Sequence, residues 1–251
     1  MRNPFFCFVF KTKMSYIYYP FVKMVEENVK NIRLQVEAAC KRANRKPEEV
    51  ILVAVGKTFG GGLIREAVGA GVFDLAENYV QEFLKKKDEL IDDRIRWHFI
   101  GHLQTNKVKQ IIGNVQLIHS VDSMKLAAEI SRQTSKINKI QDILIEVNSA
   151  TEENKFGINP NEALAFAKEV VRMPGLNLLG LMTVGKFLPD PEESRIDFKA
   201  LRELKSMLEN SGINVKHLSM GMTNSFEVAI EEGATIIRVG TAIFGSRQYN
   251  N

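Results

Sequence analysis

Val50-Ile51-Leu52-Val53-Ala54-Val55-Gly56-Lys57-Thr58 is the stretch whose reading decides the fold. Its six leading residues are apolar and mostly β-branched, which reads as a strand buried on both faces, the kind found in a parallel sheet. The run ends abruptly at Lys57. In parallel α/β folds the carboxyl ends of strands are where ligands sit, so a lysine there is a candidate for chemistry. Partial desolvation lowers an ammonium pKa and leaves a nucleophilic amine, suited to Schiff-base formation with an aldehyde. A lysine that snorkels from the sheet rim to water is the alternative, and this stretch alone leaves both open.

Outward from this strand the chain alternates. Before it, Val25, Val29, Ile32, Val36, Ala39 and Cys40 keep a helical spacing and predict an amphipathic helix over roughly 24–44. After it, Leu63, Ile64, Ala67 and Val68 mark one face of a short helix stopped by Gly69 and Gly71, and 72–76 is the next strand. The Gly60-Gly61-Gly62 run reads as a flexible loop. The same alternation gives a helix over 78–90 and strands at 96–100, 117–121, 143–147, 176–184, 215–220 and 235–239. Between them lie a helix near 104–112, one capped by Asp122 or Ser123, one carrying Leu164, Ala167 and Val171 after a loop containing Lys155, one opened by Pro189 and Pro191, and one with Phe226, Ala229 and Ile230. Eight strand-then-helix units imply parallel strands joined by right-handed crossovers, and eight close into a (β/α)8 TIM barrel without edges. An open doubly wound sheet is the alternative. The length of 251 residues fits one such barrel.

Composition excludes some partners. The net charge of +4 resides in Arg2, Lys11, Lys13 and Lys23, which face no acid within residues 1–23, so residues 24–251 are formally neutral and nothing in the body argues for nucleic acid. No apolar run approaches a membrane span of ~18 residues. Cys7 and Cys40 lack metal-ligand spacing and suggest free thiols in a reducing, cytoplasmic setting. Residues 1–23 are read as an extension outside the domain, disordered or a mistaken start, with Met14 or Met24 as other starts; residues 24–251 are read as the barrel. Lys85-Lys86-Lys87 reads as a solvated helix face.

Two late stretches look unlike scaffold. Ser219-Met220-Gly221-Met222-Thr223-Asn224 follows the seventh strand and Gly240-Thr241-Ala242-Ile243-Phe244-Gly245 the eighth. Each places glycine and hydroxyl residues where a strand ends and a helix begins, and in barrels these two loops are the frequent phosphate site. Taken singly, each is equally a tight turn or a helix cap. Arg238 interrupts an apolar strand near its carboxyl end, where a buried permanent charge needs a partner: a ring nitrogen or anion of a ligand, or Glu146 of a neighbouring strand. Strands one and eight are neighbours once the barrel closes. An amine for an aldehyde, an arginine for a ring nitrogen and a nest for a phosphate together describe a site for pyridoxal 5′-phosphate (PLP).

Ala54-Val55-Gly56-Lys57-Thr58, Glu77-Asn78-Tyr79-Val80-Gln81-Glu82, the block Trp97 to Lys107, Ile118-His119-Ser120-Val121-Asp122-Ser123, Gly180-Leu181-Met182, Leu218 to Met222 and Arg238 to Gly245 together resemble the pyridoxal phosphate homeostasis protein family. The resemblance covers about residues 24–247 in order. It implies a PLP fold-type III barrel like the N-terminal domain of alanine racemase, with Lys57 as the Schiff-base lysine and Arg238 near the pyridine nitrogen. By the same carry-over Ser219, Thr223, Gly240 and Thr241 hold the phosphate, and Asn78 and His98 line the pocket. The sequence departs from the family at Gly56, where Ser is usual, at Leu75-Ala76, where Phe-Gly is usual, and at Ser225, where Asp is usual. The implied function is a PLP carrier in vitamin B6 and amino-acid homeostasis, a monomer or weak dimer without turnover, whose recipients are PLP-dependent apo-enzymes.

Three other readings were weighed. Gly56-Lys57-Thr58 matches the end of a P-loop, but Ile51 stands where that motif needs glycine. His98, His102 and His119 suggest a metal site, yet His98 and His102 straddle a strand end and no acid cluster joins them, so structural or pocket-lining roles are expected. A PLP-dependent amino-acid racemase is the serious rival. It needs a base on each face of its substrate, and the few residues after Ser246 leave no room for the C-terminal β-domain that helps supply the second.

Overall fold

The structure, a computed structural model, describes residues 8–149, 156–185 and 188–246. Eight parallel strands close into a barrel in chain order, β1 (Ile51–Val55), β2 (Asp74–Glu77), β3 (Arg96–Phe99), β4 (Leu117–Val121), β5 (Gln141–Glu146), β6 (Leu176–Met182), β7 (His217–Ser219) and β8 (Ile236–Val239). Closure is made by β1 on β8, with Val53 opposite Arg238. The doubly wound alternative is thereby excluded.

Helices cover the outer face because each crossover must return the chain to the start of a parallel neighbour. They are α1 (Phe8–Arg42), α2 (Gly61–Gly69), α3 (Val80–Glu89), α4 (Val108–Ile111), α5 (Met124–Lys136), α6 (Ala163–Val170), α7 (Arg195–Asn210), α8 (Phe226–Glu231) and α9 (Thr241–Phe244). The leading helix begins at Phe8, so it takes in much of the stretch read as an extension. Its expected stripe of Val25, Val29, Ile32, Val36, Ala39 and Cys40 is buried. Arg45 then donates to the carbonyls of Ile230 and Ala234 at 2.8 Å each and ties the end of that helix to α8.

Strand alternation sorts the core into two clusters. Leu75, Trp97, Phe99, Ile118, Leu181 and Ile237 point outward under the helices. Val53, Val55, Ala76, Leu117, Leu144, Met182 and Ile236 point into the barrel. Each fully buried aliphatic or aromatic side chain contributes about 1.5–3 kcal/mol, and the edge-on packing of Phe83 against Trp97, at 5.5 Å between ring centres, fixes α3 on β3.

Several expectations are corrected. Gly61 and Gly62 belong to the first turn of α2, with Gly60 as its N-cap, so the loop out of β1 ends before them. The buried face of α6 is Ala163, Phe166, Ala167 and Val170, and Val171 is exposed. Ser123, not Asp122, caps α5, its hydroxyl accepting from the Leu126 amide at 3.3 Å. Lys86 is 5% exposed, so the Lys85-Lys86-Lys87 run is not a uniformly solvated face. It lies three residues after Phe83 and four before Leu90, on the apolar stripe of α3. Lys155 lies outside the described residues. Among the described residues no helix is long and apolar enough to cross a membrane.

Candidate functional site

Period-two alternation decides which polar side chains enter the barrel. Continuing from Val53 and Val55, Lys57 falls on the inward side just past β1, half-buried in a turn closed by the Phe59 amide on the Gly56 carbonyl at 3.0 Å. Beside it on β8, Arg238 follows the inward Ile236. Arg238 is 4% exposed. Its Nη1 donates to Ser219 Oγ at 2.7 Å and its Nη2 to the Thr183 carbonyl at 2.8 Å. Burial lowers its pKa to about 10, against the pull of the nearby Glu146 carboxylate, so the guanidinium is charged at neutral pH and offers donors only. The contact with Glu146 weighed from sequence is thus one of charge, while the hydrogen bonds go elsewhere. Glu146 in turn is raised to about 7 by burial and by the charge of Asp122, with Arg238 pulling the other way.

Ser219 belongs to this buried group and not with the late loops. Its hydroxyl is fully buried and lies 2.9 Å from His119 Nδ1. His119 Nε2 is 2.9 Å from His98 Nδ1, and His98 Nε2 is 3.0 Å from Asp74 Oδ1. The proton order follows from the two ends. Asp74 also takes two bonds from Arg96; burial raises its pKa, but the bonds from His98 and Arg96 outweigh that and hold it below the usual carboxylate range. As a carboxylate it accepts from His98 Nε2–H; in the tautomer whose Nδ1 is an acceptor, His98 takes the His119 Nε2–H, and His119 Nδ1 accepts from the Ser219 hydroxyl. Ser219 then accepts from Arg238. Burial above all, with the charge of Arg238, pushes the His119 pKa well below its ordinary value, which keeps that ring neutral. Five side chains from β2, β3, β4, β7 and β8 form one chain of donors pointing from Arg238 to Asp74. His98 therefore supports the site from within the barrel, both ring nitrogens engaged.

The late loops meet through Thr223 and Thr241. Thr241 Oγ1 is 3.1 Å from Thr223 Oγ1, and the Ala242 amide reaches Thr223 Oγ1 at 3.4 Å. Gly240 precedes them at the end of β8. The turn out of β7 needs Gly221: its φ is +87°, and a Cβ there would stand 2.6 Å from Ala229 Cβ. Ser225, where the family usually has Asp, closes this loop by accepting from the Met222 amide at 3.4 Å.

On the other side of the mouth Asn78 follows β2. Its Oδ1 is buried without a hydrogen-bond partner among the described residues. Asn78 also lines a cavity of about 450 Å³ with Tyr79, Gln104 and Lys107. His102 there stacks on Phe156 at 3.9 Å and bonds Asp122 at 3.0 Å, so the three histidines weighed as a metal site serve two separate hydrogen-bonded groups.

Of the residues singled out from sequence, Arg238 is on the inward face of β8 and Lys57 in the turn that follows its partner β1, Thr223 and Thr241 meet between the loops after β7 and β8, with Gly240 beside them, and Asn78 stands just past β2. Ser219 and His98 lie deeper. Sequence reasoning missed Asp74 and left His119 among the histidines expected to be structural or pocket-lining. Strand alternation was the available signal, since His98 and His119 share the inward parity.

A closed parallel barrel with an amine and a guanidinium at one mouth defines a class of fold, and comparison with known proteins agrees. The family described as alanine racemase, N-terminal domain, matches residues 28–248. An alanine racemase of Clostridium difficile shares the barrel, with a TM-score of 0.72 at 14% identity, over 91% of this chain and 58% of that one. Closer relatives are pyridoxal phosphate homeostasis proteins. That of Aquifex aeolicus is 45% identical over 224 residues, 89% of this chain and 98% of the relative. That of Escherichia coli K12 is 35% identical over 233 residues, 90% and 98% of the two. PipY of Synechococcus elongatus, solved with PLP bound, has a TM-score of 0.77 at 30% identity over 88% of this chain and all of that one. The chain belongs to the pyridoxal phosphate homeostasis protein family.

Proposed function

We propose that this protein holds PLP reversibly at the barrel mouth, acts in cytoplasmic vitamin B6 and amino-acid homeostasis, and supplies the cofactor to apo-enzymes without turnover of its own. What supports the reading is that Lys57 follows β1 directly, that β1 pairs with the strand carrying Arg238, Val53 opposite Arg238, and that Thr223 and Thr241 meet in the adjoining loops. When bound, PLP supplies an electrophilic aldehyde conjugated to an electron-withdrawing ring. Lys57 Nζ attacks that carbonyl carbon and water leaves, which makes the bond a Schiff base. Arg238 has no acceptor, so a ring nitrogen it faces must accept and stays unprotonated. The hydroxyls of Thr223 and Thr241, with the backbone at Gly240, suit an anionic ester. Asn78, with its unpartnered Oδ1, suits a polar ring substituent. The donor set thus fits PLP, and the PLP bound in PipY supports the same reading.

The test is the visible spectrum of purified protein with and without borohydride, beside Lys57→Ala. A yellow colour in the wild type, bleached by borohydride with the cofactor left attached to Lys57 and absent from the variant, is expected. Colourless protein whose borohydride adduct carries a sugar phosphate would assign the amine to aldolase-like chemistry. The racemase alternative predicts loss of optical rotation from L-alanine that Lys57→Ala abolishes; the carrier predicts none.

A further inference from the structure

Lys86 is buried on α3, where a lysine is rarely found without a purpose. Its ammonium donates to Glu77 Oε1 at 2.6 Å, Glu82 Oε2 at 3.1 Å and the Gly56 carbonyl at 2.8 Å, which uses all of its protons. Glu82 Oε2 also accepts from the Thr58 amide at 2.9 Å. Residues 56 and 58 flank Lys57. One ion triad therefore grips the peptide units on both sides of the reactive lysine.

The grip has something to hold. Thr58 sits at φ +69°, a left-handed conformation that a β-branched residue adopts only when its surroundings impose it. Gly56 makes room for the device: a Cβ there would stand 2.9 Å from both Glu77 Oε1 and Ile64 Cδ1. That gives the departure at this position a physical reason. The Phe59 amide on the Gly56 carbonyl closes the turn with Thr58 at its third position, where a positive φ is required, and the Thr58 amide bond to Glu82 adds a second hold from α3.

We propose that Lys86, through Glu77 and Glu82, is a positioning residue for Lys57. The triad keeps the turn at Thr58 in its left-handed form and so aims the Lys57 amine into the mouth. This rests on the reading of Lys57 as the aldehyde-binding amine. When Lys86 is removed, the turn relaxes, the amine swings off line and the phosphate and ring contacts on the far side of the mouth stay in place.

The test compares full-length wild type, Lys86→Met, Glu82→Gln, Thr58→Gly and the double variant Lys86→Met/Thr58→Gly. The rate of forming the borohydride-trappable bond with PLP is measured beside the affinity for pyridoxine 5′-phosphate, which has the ring and phosphate but no aldehyde. Lys86→Met is expected to slow bond formation about tenfold or more, the usual result of misplacing a reacting group, with affinity for the alcohol within about twofold. Glycine accepts φ +69° without help, so Thr58→Gly in the Lys86→Met background is expected to restore most of the rate. Amide exchange at Thr58, which needs no cofactor, is expected to accelerate in Lys86→Met. Where Lys86→Met does not fold, the near-isosteric Glu82→Gln carries the same comparison. Wild type that forms no trappable bond overturns the reading of Lys57 and the triad's role with it. Wild type that does, beside a folded variant that forms the bond equally fast, overturns the positioning role alone. A rate and an alcohol affinity that fall together, without rescue at position 58, also overturn it.

Discussion

Strand β2 carries an acid on each of its faces, and the two meet different fates. Asp74 points into the barrel and receives bonds from His98 and from both ends of the Arg96 guanidinium. Glu77, three residues on, points out towards α3 and meets the single ammonium of Lys86, with its Oε2 buried and unpartnered. Burial acts on both. For Asp74 the donors outweigh it, so the carboxyl is held low; for Glu77 they do not, and burial raises it to about 7. Fewer donors and deeper burial act together on Glu77, while on Asp74 the donors outweigh a shallower burial. On the inner face the result is a chain with fixed polarity ending at Arg238. On the outer face it is a clamp on a turn.

The most severe way to break this contrast is to cut the inner chain. His119→Leu leaves the Ser219 O–H without its acceptor, though Arg238 still donates to that oxygen, and His98 Nδ1 without its partner, each at about 1–3 kcal/mol, so a loss of about 2–6 kcal/mol is expected in urea unfolding. A loss under about 1 kcal/mol would show that the chain does not hold these groups.

Asp74→Asn removes the donor-rich carboxylate while keeping its shape. A loss of about 1.5–3 kcal/mol is expected at pH 7, since bonds to charged groups are the strong ones. Its pH dependence has a definite sign. A carboxyl held low in the folded state stabilises above its unfolded pKa and loses that contribution as pH falls through the folded value. The gap between wild type and variant should therefore close on acidification below pH of about 4.

Glu146 sharpens the comparison, because it is an inward acid raised to about 7 like the outward Glu77. A carboxyl whose folded pKa lies above its unfolded one stabilises at low pH and loses that contribution as pH climbs through the folded value. Glu146→Gln should thus match wild type near pH of about 5 and exceed it by about 1–2 kcal/mol near pH of about 8, after allowance for the amide's own needs. Thermal melts across this range decide it. A variant less stable at the upper end would mean that Arg238 depends on this charge more than burial penalises it.

Much of this was legible in the chain. The run 50–55 and its seven successors announced strands, and the residues at their carboxyl ends announced a mouth. Lys57, Arg238, Thr223 and Thr241 were found because each breaks a local pattern: a cation after or within an apolar strand, or a hydroxyl beside glycine. Ser219 was singled out for the same reason, and its side chain turns inward to Arg238 and His119. Lys86 was missed because it sits in a run of lysines, although its place between Phe83 and Leu90 on one helix face marked it as buried. Asp74 was passed over although it stands inside the run 72–76 read as a strand.

The sequence by itself determined the architecture, because hydrophobic periodicity and the alternation of strand with helix are local properties that leave a parallel barrel as the way to cover every edge. It also singled out the candidates for chemistry, through their types and their places at strand ends. Only the tertiary structure decided the partners. The donor chain joins residues from five strands, and the Lys86 triad joins α3 to the turn after β1 across a separation of about thirty residues. Such bonds depend on closure and on the direction of each side chain, and low-dielectric surroundings created by folding are what make the donors around each buried charge decisive.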